Sequence, residues 1–246
     1  MRMTVFLAAA AVTASLAAPA AAQDAAANKT VCESTDSTYS LADQVTACTA
    51  YIKLGGLAPA DLAIEYFNRG VSYYHQKDYP NAIADYSEAI RLDPRFEAAF
   101  ENRGNAYDNQ NDYARAIADE SEAIRLKPQD AFAYEFRGEA YSDRADKAHS
   151  DEADYTRAIK DYDQAIRLNP QGVHMFNNRG YAYFRQKKYA PALADFDAAI
   201  RIDPKNAYAL YGRGRTEIAL GRKTEGDADI DRAQAIRPDI AEVFDS

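Results

Sequence analysis

Five glycines, Gly70, Gly104, Gly138, Gly180 and Gly214, stand 34, 34, 42 and 34 residues apart. Three residues after the first four come Tyr73, Tyr107, Tyr141 and Tyr183, and Glu217 holds that place in the fifth. An alanine recurs further along each period, at Ala89, Ala123, Ala165, Ala199 and Ala233. Each period closes on a proline: Pro94, Pro128, Pro170, Pro204 and Pro238. A pattern that returns in this way makes each period one supersecondary unit, which buries its apolar face only by stacking on its neighbours.

The first period shows what the unit is. Tyr66, Arg69, Gly70 and Tyr73 fall at i, i+3, i+4 and i+7, one face of a helix. Lys77-Asp78-Tyr79-Pro80 carries turn chemistry. Ala82, Ile83, Tyr86, Ala89 and Ile90 then form the stripe of a second helix. Leu92-Asp93-Pro94 stops it, because proline cannot continue the hydrogen-bond ladder and restricts the residue before it. Gly70, Ala82 and Ala89 are small where two helices approach closely, and the tyrosines fill the space beside them. We expect the repeated tyrosines in the core.

This pattern resembles the tetratricopeptide repeat (TPR) family over residues 63–240. The units are 63–96, 97–130, 131–172, 173–206 and 207–240. The resemblance implies an all-α fold, a right-handed superhelix of helix-turn-helix repeats that forms an α-solenoid. It also implies a concave face, lined by the first helices, that binds a protein or peptide segment. Residues 41–62 read as a capping helix and linker, with Val45, Cys48 and Ile52 as the stripe of a lone second helix from a degenerate unit. The fifth unit is atypical, with Gly226 where Ala82, Ala116, Ala158 and Ala192 stand in the others. In the tail, 241–246, Val243 and Phe244 follow Ile240 and predict a short cap.

Residues 1–22 read as a secretory signal peptide: Arg2, an apolar run from Thr4 to Ala18, then small residues up to Ala22. The expected location is the periplasm, with Gln23 as mature N-terminus. Residues 23–40 have few bulky apolar groups and are expected to be loose unless a bridge holds them. Cys32 and Cys48 are the only cysteines, an even count that favours a disulfide in an oxidising compartment. No later segment is apolar over the roughly 20 residues that a membrane span needs. A net charge of −9 argues against nucleic acid as a partner.

Arginine precedes each repeated glycine: Arg69, Arg103, Arg137, Arg179 and Arg213. Each unit also carries a downstream aspartate: Asp85, Asp119, Asp161, Asp195 and Asp229. Equal numbers of opposite charge predict a structural Arg–Asp ladder between first and second helices. The alternative is an arginine row for anionic ligands, which should leave cations unpaired.

Asn68, Asn102 and Asn178 sit just before the Arg slot, similar to the asparagine row that some TPR superhelices turn toward a peptide backbone. An amide both donates and accepts, so it pairs with an extended chain without reading side chains. Asn105, Asn177, Tyr181, Arg185, Tyr211 and Arg215 complete the expected partner-binding set. Glu101, Glu135 and Glu139 make the expected groove acidic at its centre, with an aromatic and basic C-terminal half. Glu120 occupies the slot of Tyr86, Tyr162 and Phe196. Either an arginine partners it or the packing there is softer; the sequence leaves both open. The third unit is eight residues longer than the others, which predicts about one extra turn on each helix and a protruding hairpin.

Chemistry is not expected. His75, His149 and His174 lie in different contexts, there is no H-E-x-x-H or G-x-S-x-G, and Asp151-Glu152-Ala153-Asp154 has no phosphate loop to accompany it. No metal or other cofactor is implied. The function expected is a non-enzymatic periplasmic scaffold that binds a protein or peptide in its groove. Two alternatives are a structural subunit of an envelope assembly, using the convex face or protruding hairpin, and a glycan-binding module.

Overall fold

A computed structural model of the chain describes residues 20–34, 38–147 and 152–245. The expected signal peptide lies outside these residues except for its last three positions, as do His149 and Asp151. The described residues contain thirteen helices and no strand. Helices α1 (Ala20–Cys32) and α2 (Leu41–Leu54) come first. Five hairpins follow: α3 (Pro59–His75) with α4 (Tyr79–Leu92), α5 (Glu97–Asn109) with α6 (Tyr113–Leu126), α7 (Ala131–Lys147) with α8 (Glu152–Leu168), α9 (Val173–Arg185) with α10 (Tyr189–Ile202), and α11 (Ala207–Ala219) with α12 (Lys223–Ile236). A short α13 (Ile240–Asp245) ends the chain. The fold is an all-α solenoid of stacked hairpins.

The hairpin turn is set by one backbone position. Lys77, Asn111, Lys187 and Gly221 sit at φ of 61°, 60°, 57° and 84°, each just after a first helix. This left-handed residue lets the chain satisfy the last carbonyls of the helix: Lys77 N–H donates to Tyr74 O at 2.8 Å and Asp78 N–H to Tyr73 O at 2.9 Å. Asp78 and Asp112 then cap the second helices by accepting from the N–H of Asn81 and Arg115.

The recurrent glycine has a steric cause. A Cβ on Gly70 would lie 2.7 Å from the ring of Tyr86, and one on Gly138 would lie 2.6 Å from that of Tyr162. Glycine therefore lets the second-helix ring lie against the first-helix backbone. In the third hairpin α7 and α8 are 17 residues each, against 13 and 14 in α5 and α6, so both helices carry the extra turn. Near its tip Arg144 donates two hydrogen bonds to Asp154, at 2.7 and 2.8 Å.

At the N-terminus the structure departs from expectation. The segment expected to be loose unless a bridge holds it is held by one, and much of it is helix α1, so that α2 is not alone but pairs with it. The Cys32–Cys48 disulfide joins the end of α1 to the middle of α2, and both residues are buried. Local composition did not show this helix because its contacts come from the bridge and from α2 rather than from an apolar stripe of its own. At the other end Ile240 and Phe244 of α13 are buried against the last hairpins.

Candidate binding groove

The charged row next to the glycines is fully engaged. Each arginine donates Nε and Nη2 to the two oxygens of its unit's aspartate at 2.6–2.9 Å. The five pairs are Arg69–Asp85, Arg103–Asp119, Arg137–Asp161, Arg179–Asp195 and Arg213–Asp229. Nη1 of each crosses to the preceding unit and donates to Thr49, Ser87, Ser121, Asp163 or Asp197, at 2.6–3.1 Å. This second connection was missed in the sequence, although Ser87, Ser121, Asp163 and Asp197 each stand two residues after a ladder aspartate. With these donors spent, the row is not open to anionic ligands, and it joins hairpins as well as helices.

The residues expected to bind a partner divide into three groups. Asn68 is half-buried and lines a cleft of about 560 Å³ between α2 and α3, with Tyr39, Leu41, Phe67, Val71 and His75. Asn102 and Asn105 lie on α5; the Asn102 amide donates to its own helix, at Ala98 O, 2.9 Å away. Asn178 donates to Glu139 Oε1 at 2.7 Å, whereas Asn177 is buried and donates to Asn206 at 3.3 Å. The asparagines therefore do not form one continuous row.

The C-terminal half of the groove differs from its expected character. Tyr181 and Tyr211 are buried, because Phe244 places its ring 5.3 Å from each and 4.9 Å from Tyr208. Arg185 forms an ion pair with Asp146 and donates to the Tyr181 hydroxyl. Arg215 donates to the Tyr211 hydroxyl at 3.3 Å. The basic charge expected there is spent on the protein's own groups. The six-residue cap that does this carried no repeat signature.

The centre is acidic. Glu97, Glu101 and Asp108 lie on one face of α5; Glu135, Glu139, Asp143 and Asp146 lie on the matching face of α7. No ion pair reaches Glu101, Asp108, Glu135, Glu139 or Asp143 among the described residues. Burial, reinforced by neighbouring carboxylates, pushes Glu101 and Glu139 up to about 8 and Asp108 to about 7. Burial alone raises Glu135 to about 7. Beside them Glu139, Ser142, Asp143, Asp146, Asn178 and Tyr181 line a cleft of about 200 Å³, closed on one side by Phe244.

Glu97, Glu101 and Asp130 bring one oxygen each within 4.8 Å of one another. Lys127 already supplies a cation there, pairing with Asp130 and lying 3.7 Å from Glu97. Beneath the acidic face Glu120 is 1% exposed, and neither of its carboxylate oxygens has a hydrogen-bond partner. No arginine meets it among the described residues, so the arginine-partner alternative falls.

A stacked-hairpin solenoid with an inner face of this kind defines the class. Three tetratricopeptide repeat models match, at residues 63–96, 98–130, and 147–207 with 192–239. The chain belongs to the tetratricopeptide repeat family. No curated protein matches it. Among solved structures it is similar to YrrB, described as a TPR protein with an unusual peptide-binding site, at 22% identity and TM-score 0.60 over 82% of this chain and 96% of that one. It is also similar to PilW, a type IV pilus biogenesis factor, at 19% identity and TM-score 0.63 over 71% and 77%. MamA from Desulfovibrio magneticus RS-1 aligns at 16% identity and TM-score 0.62, over 75% and 97%. At these identities the likeness is one of fold.

Proposed function

We propose that the protein is a non-enzymatic scaffold that binds an extended segment of a partner protein along the inner face of its solenoid. The observation that carries this reading is the open inner surface from α2 to α7. It holds the cleft of about 560 Å³ between α2 and α3 and a run of carboxylates that no ladder contact uses. A polar and aromatic groove of this size suits an extended chain, with a few anchors supplying most of the affinity. Family membership supports the reading, and YrrB is a structural relative whose description names a peptide-binding site.

We further propose that the chain is exported to the periplasm and processed after Ala22. The Cys32–Cys48 disulfide supports an oxidising compartment. The N-terminal mass of the protein made in a Gram-negative host tests this: a start at Gln23 supports export, and an intact Met1 form inside the cell overturns it.

The groove reading is tested by affinity capture from envelope extract with the chain from Gln23 onward. Beside it run Asn68→Ala with Val71→Trp on the inner face, and Arg91→Ala on the exposed face of α4. A partner lost with the inner-face variant and kept by Arg91→Ala supports the groove. A partner kept by both moves the site to the outer surface.

A further inference from the structure

The inner face carries more negative charge than the fold consumes. The five ladder aspartates each receive two guanidinium hydrogen bonds, and Glu65, buried on α3 and raised to about 7 by burial, is an exception outside the groove. On α5 and α7 the practice stops. Glu101, Asp108, Glu135, Glu139 and Asp143 face one another with no ion pair among the described residues, Lys127 and Lys147 acting on Glu101 and Asp143 only from the edges.

Glu120 gives this surface a floor. Its side chain lies against α5 at Gly104, where a Cβ would be 2.5 Å from its Oε1. Gly104 is the α5 position between Glu101 and Asp108, so the carboxyl comes up between two members of the acidic face. The charges that act on it are Glu101 and Asp108 of α5, Asp119 of its own α6 and Glu139 of α7, all negative. In the third hairpin the same slot holds Tyr162, whose ring lines the neighbouring cleft beside Glu139. Glu120 is thus a buried carboxyl without a partner, directed toward a surface of carboxyls on which Asn178 donates to Glu139 and Asp108 shares a hydrogen bond with Asp143. A buried polar group in that state costs free energy unless something else satisfies it.

Lys127 shows which chemistry answers this surface. Its ammonium group stands at the edge of the same face, between Glu97 and Asp130. Lys147 acts on Asp143 in the same way at the end of α7, so among the described residues lysines serve the edges of the face and no ion pair forms at Glu101, Glu135 or Glu139.

We propose that the inner face of α5 and α7 binds a lysine- or arginine-bearing segment of a partner, with Glu101 and Glu139 receiving its cationic side chains above the buried Glu120. The assignment rests on the groove reading above and names the charge of the partner. An ammonium or guanidinium group on an extended peptide supplies several donors, which carboxylates set one turn apart on α5 and on α7 are spaced to accept. The raised carboxyls fit the same role: they carry least charge when the site is empty, and a bound cation draws them into the ionised form. Calcium is the rival occupant, and the phenylalanine cap with its hydroxyl and amide neighbours makes the site wider than a cation cage.

The test uses fluorescence anisotropy on the chain from Gln23 with two short labelled peptides, one alternating lysine and alanine, the other glutamate and alanine. Calcium is titrated separately. The lysine peptide is expected to bind and the glutamate peptide not to. Glu101→Gln with Glu139→Gln should weaken the lysine peptide about tenfold or more, whereas Glu225→Gln with Asp231→Asn, exposed on α12, removes the same charge and should leave it nearly unchanged. Affinity should rise between about pH 6 and pH 8.5 as the carboxyls ionise. Equal binding of both peptides, equal loss in the two charge variants, or a response to calcium alone overturns the proposal. If the lysine peptide fails while a captured partner is still lost on Asn68→Ala with Val71→Trp, the charge assignment falls and the groove reading stands. A lysine peptide that responds as expected, beside a captured partner indifferent to the inner-face variant, has the opposite meaning.

Discussion

Two sets of carboxylates run along this solenoid within a few residues of each other, and they behave as opposites. Asp85, Asp119, Asp161, Asp195 and Asp229 lie between helices, each clamped by an arginine through two hydrogen bonds. Glu101, Asp108, Glu135 and Glu139 lie on the inner face with no ion pair among the described residues, Lys127 acting on Glu101 only from the rim. The first set recurs in all five hairpins; the second is confined to α5 and α7. A charge that every repeat carries serves what every repeat needs, the joint to its neighbour. A charge that only two repeats carry serves something local to them, and it is kept although the fold gives it no partner.

The sharpest way to break this comparison is to remove one ladder aspartate. Asp119→Ala leaves Arg103 with its Nε and Nη2 unsatisfied in a half-buried site. It should cost about 3–5 kcal/mol in urea unfolding. Paired replacement, Arg103→Met with Asp119→Leu, should cost much less, because no charge is stranded. A loss for Asp119→Ala no larger than that for the exposed Glu122→Ala ends the structural reading of the ladder.

Opening the bridge comes next. Cys32→Ser with Cys48→Ser frees a loop of 16 residues' separation, and chain entropy sets the loss at about 3 kcal/mol. In a repeat array this loss is local. Hydrogen exchange should therefore accelerate in α1 and α2 and stay unchanged from α5 onward. Uniform acceleration would mean that the hairpins unfold as one unit.

The ladder was legible because it obeys the repeat: an Arg before every Gly and an Asp at a fixed offset within units of equal length. The hairpins were legible for the same reason, down to the extra turn on α7 and on α8. What escaped lacks a period. Helix α1 is held by one disulfide and has no apolar stripe of its own. The short cap α13 was itself expected from Ile240, Val243 and Phe244, but its cover over Tyr181 and Tyr211, placed among the groove residues, was not. Arg185 reads as free charge until Asp146, displaced by the lengthened third hairpin, is seen to meet it. Periodicity reveals what each unit shares; a binding site lies in how units differ.

Glu120 is such a difference, and it sets the two groups of carboxylates against each other at a single position. Its equivalents Tyr86, Tyr162 and Phe196 are buried rings lying on a glycine, and Glu120 lies on Gly104 in the same way. Glu120→Tyr restores the common packing and removes a buried acid with no partner. It should stabilise by about 2 kcal/mol at pH 8, read by urea unfolding. Burial among carboxylates holds Glu120 neutral in the empty site, so the same variant should weaken the lysine peptide only if a bound cation draws Glu120 into its ionised form. Stabilisation without loss of binding would make Glu120 a packing defect and nothing more.

The smallest expected effect is also the one that separates the two sets without touching the fold. Glu139 has an ordinary value of 4.5 and is raised to about 8 in the folded protein, first by burial and then by Glu135 and Asp143. The folded state therefore binds a proton more tightly than the unfolded one. The stability this contributes is complete below about pH 4.5 and is lost as pH rises toward 8, because stability falls wherever the native state holds more protons. The groups that face it are Glu135 and Asp143 on α7, Asp108 on α5 and Asn178 on α9, and only the Asn178 amide favours the charged form. Glu139→Gln cannot ionise, so its melting temperature should fall less than that of the parent between pH 5 and pH 8.5. The gap should widen steadily toward the upper end, read as the difference between the two melting temperatures. A ladder aspartate such as Asp119, already clamped by Arg103, gives Asp119→Asn a loss at both pH values instead. If the two variants show the same pH profile, inner-face and ladder carboxylates are electrostatically alike, and the division between joint and groove fails.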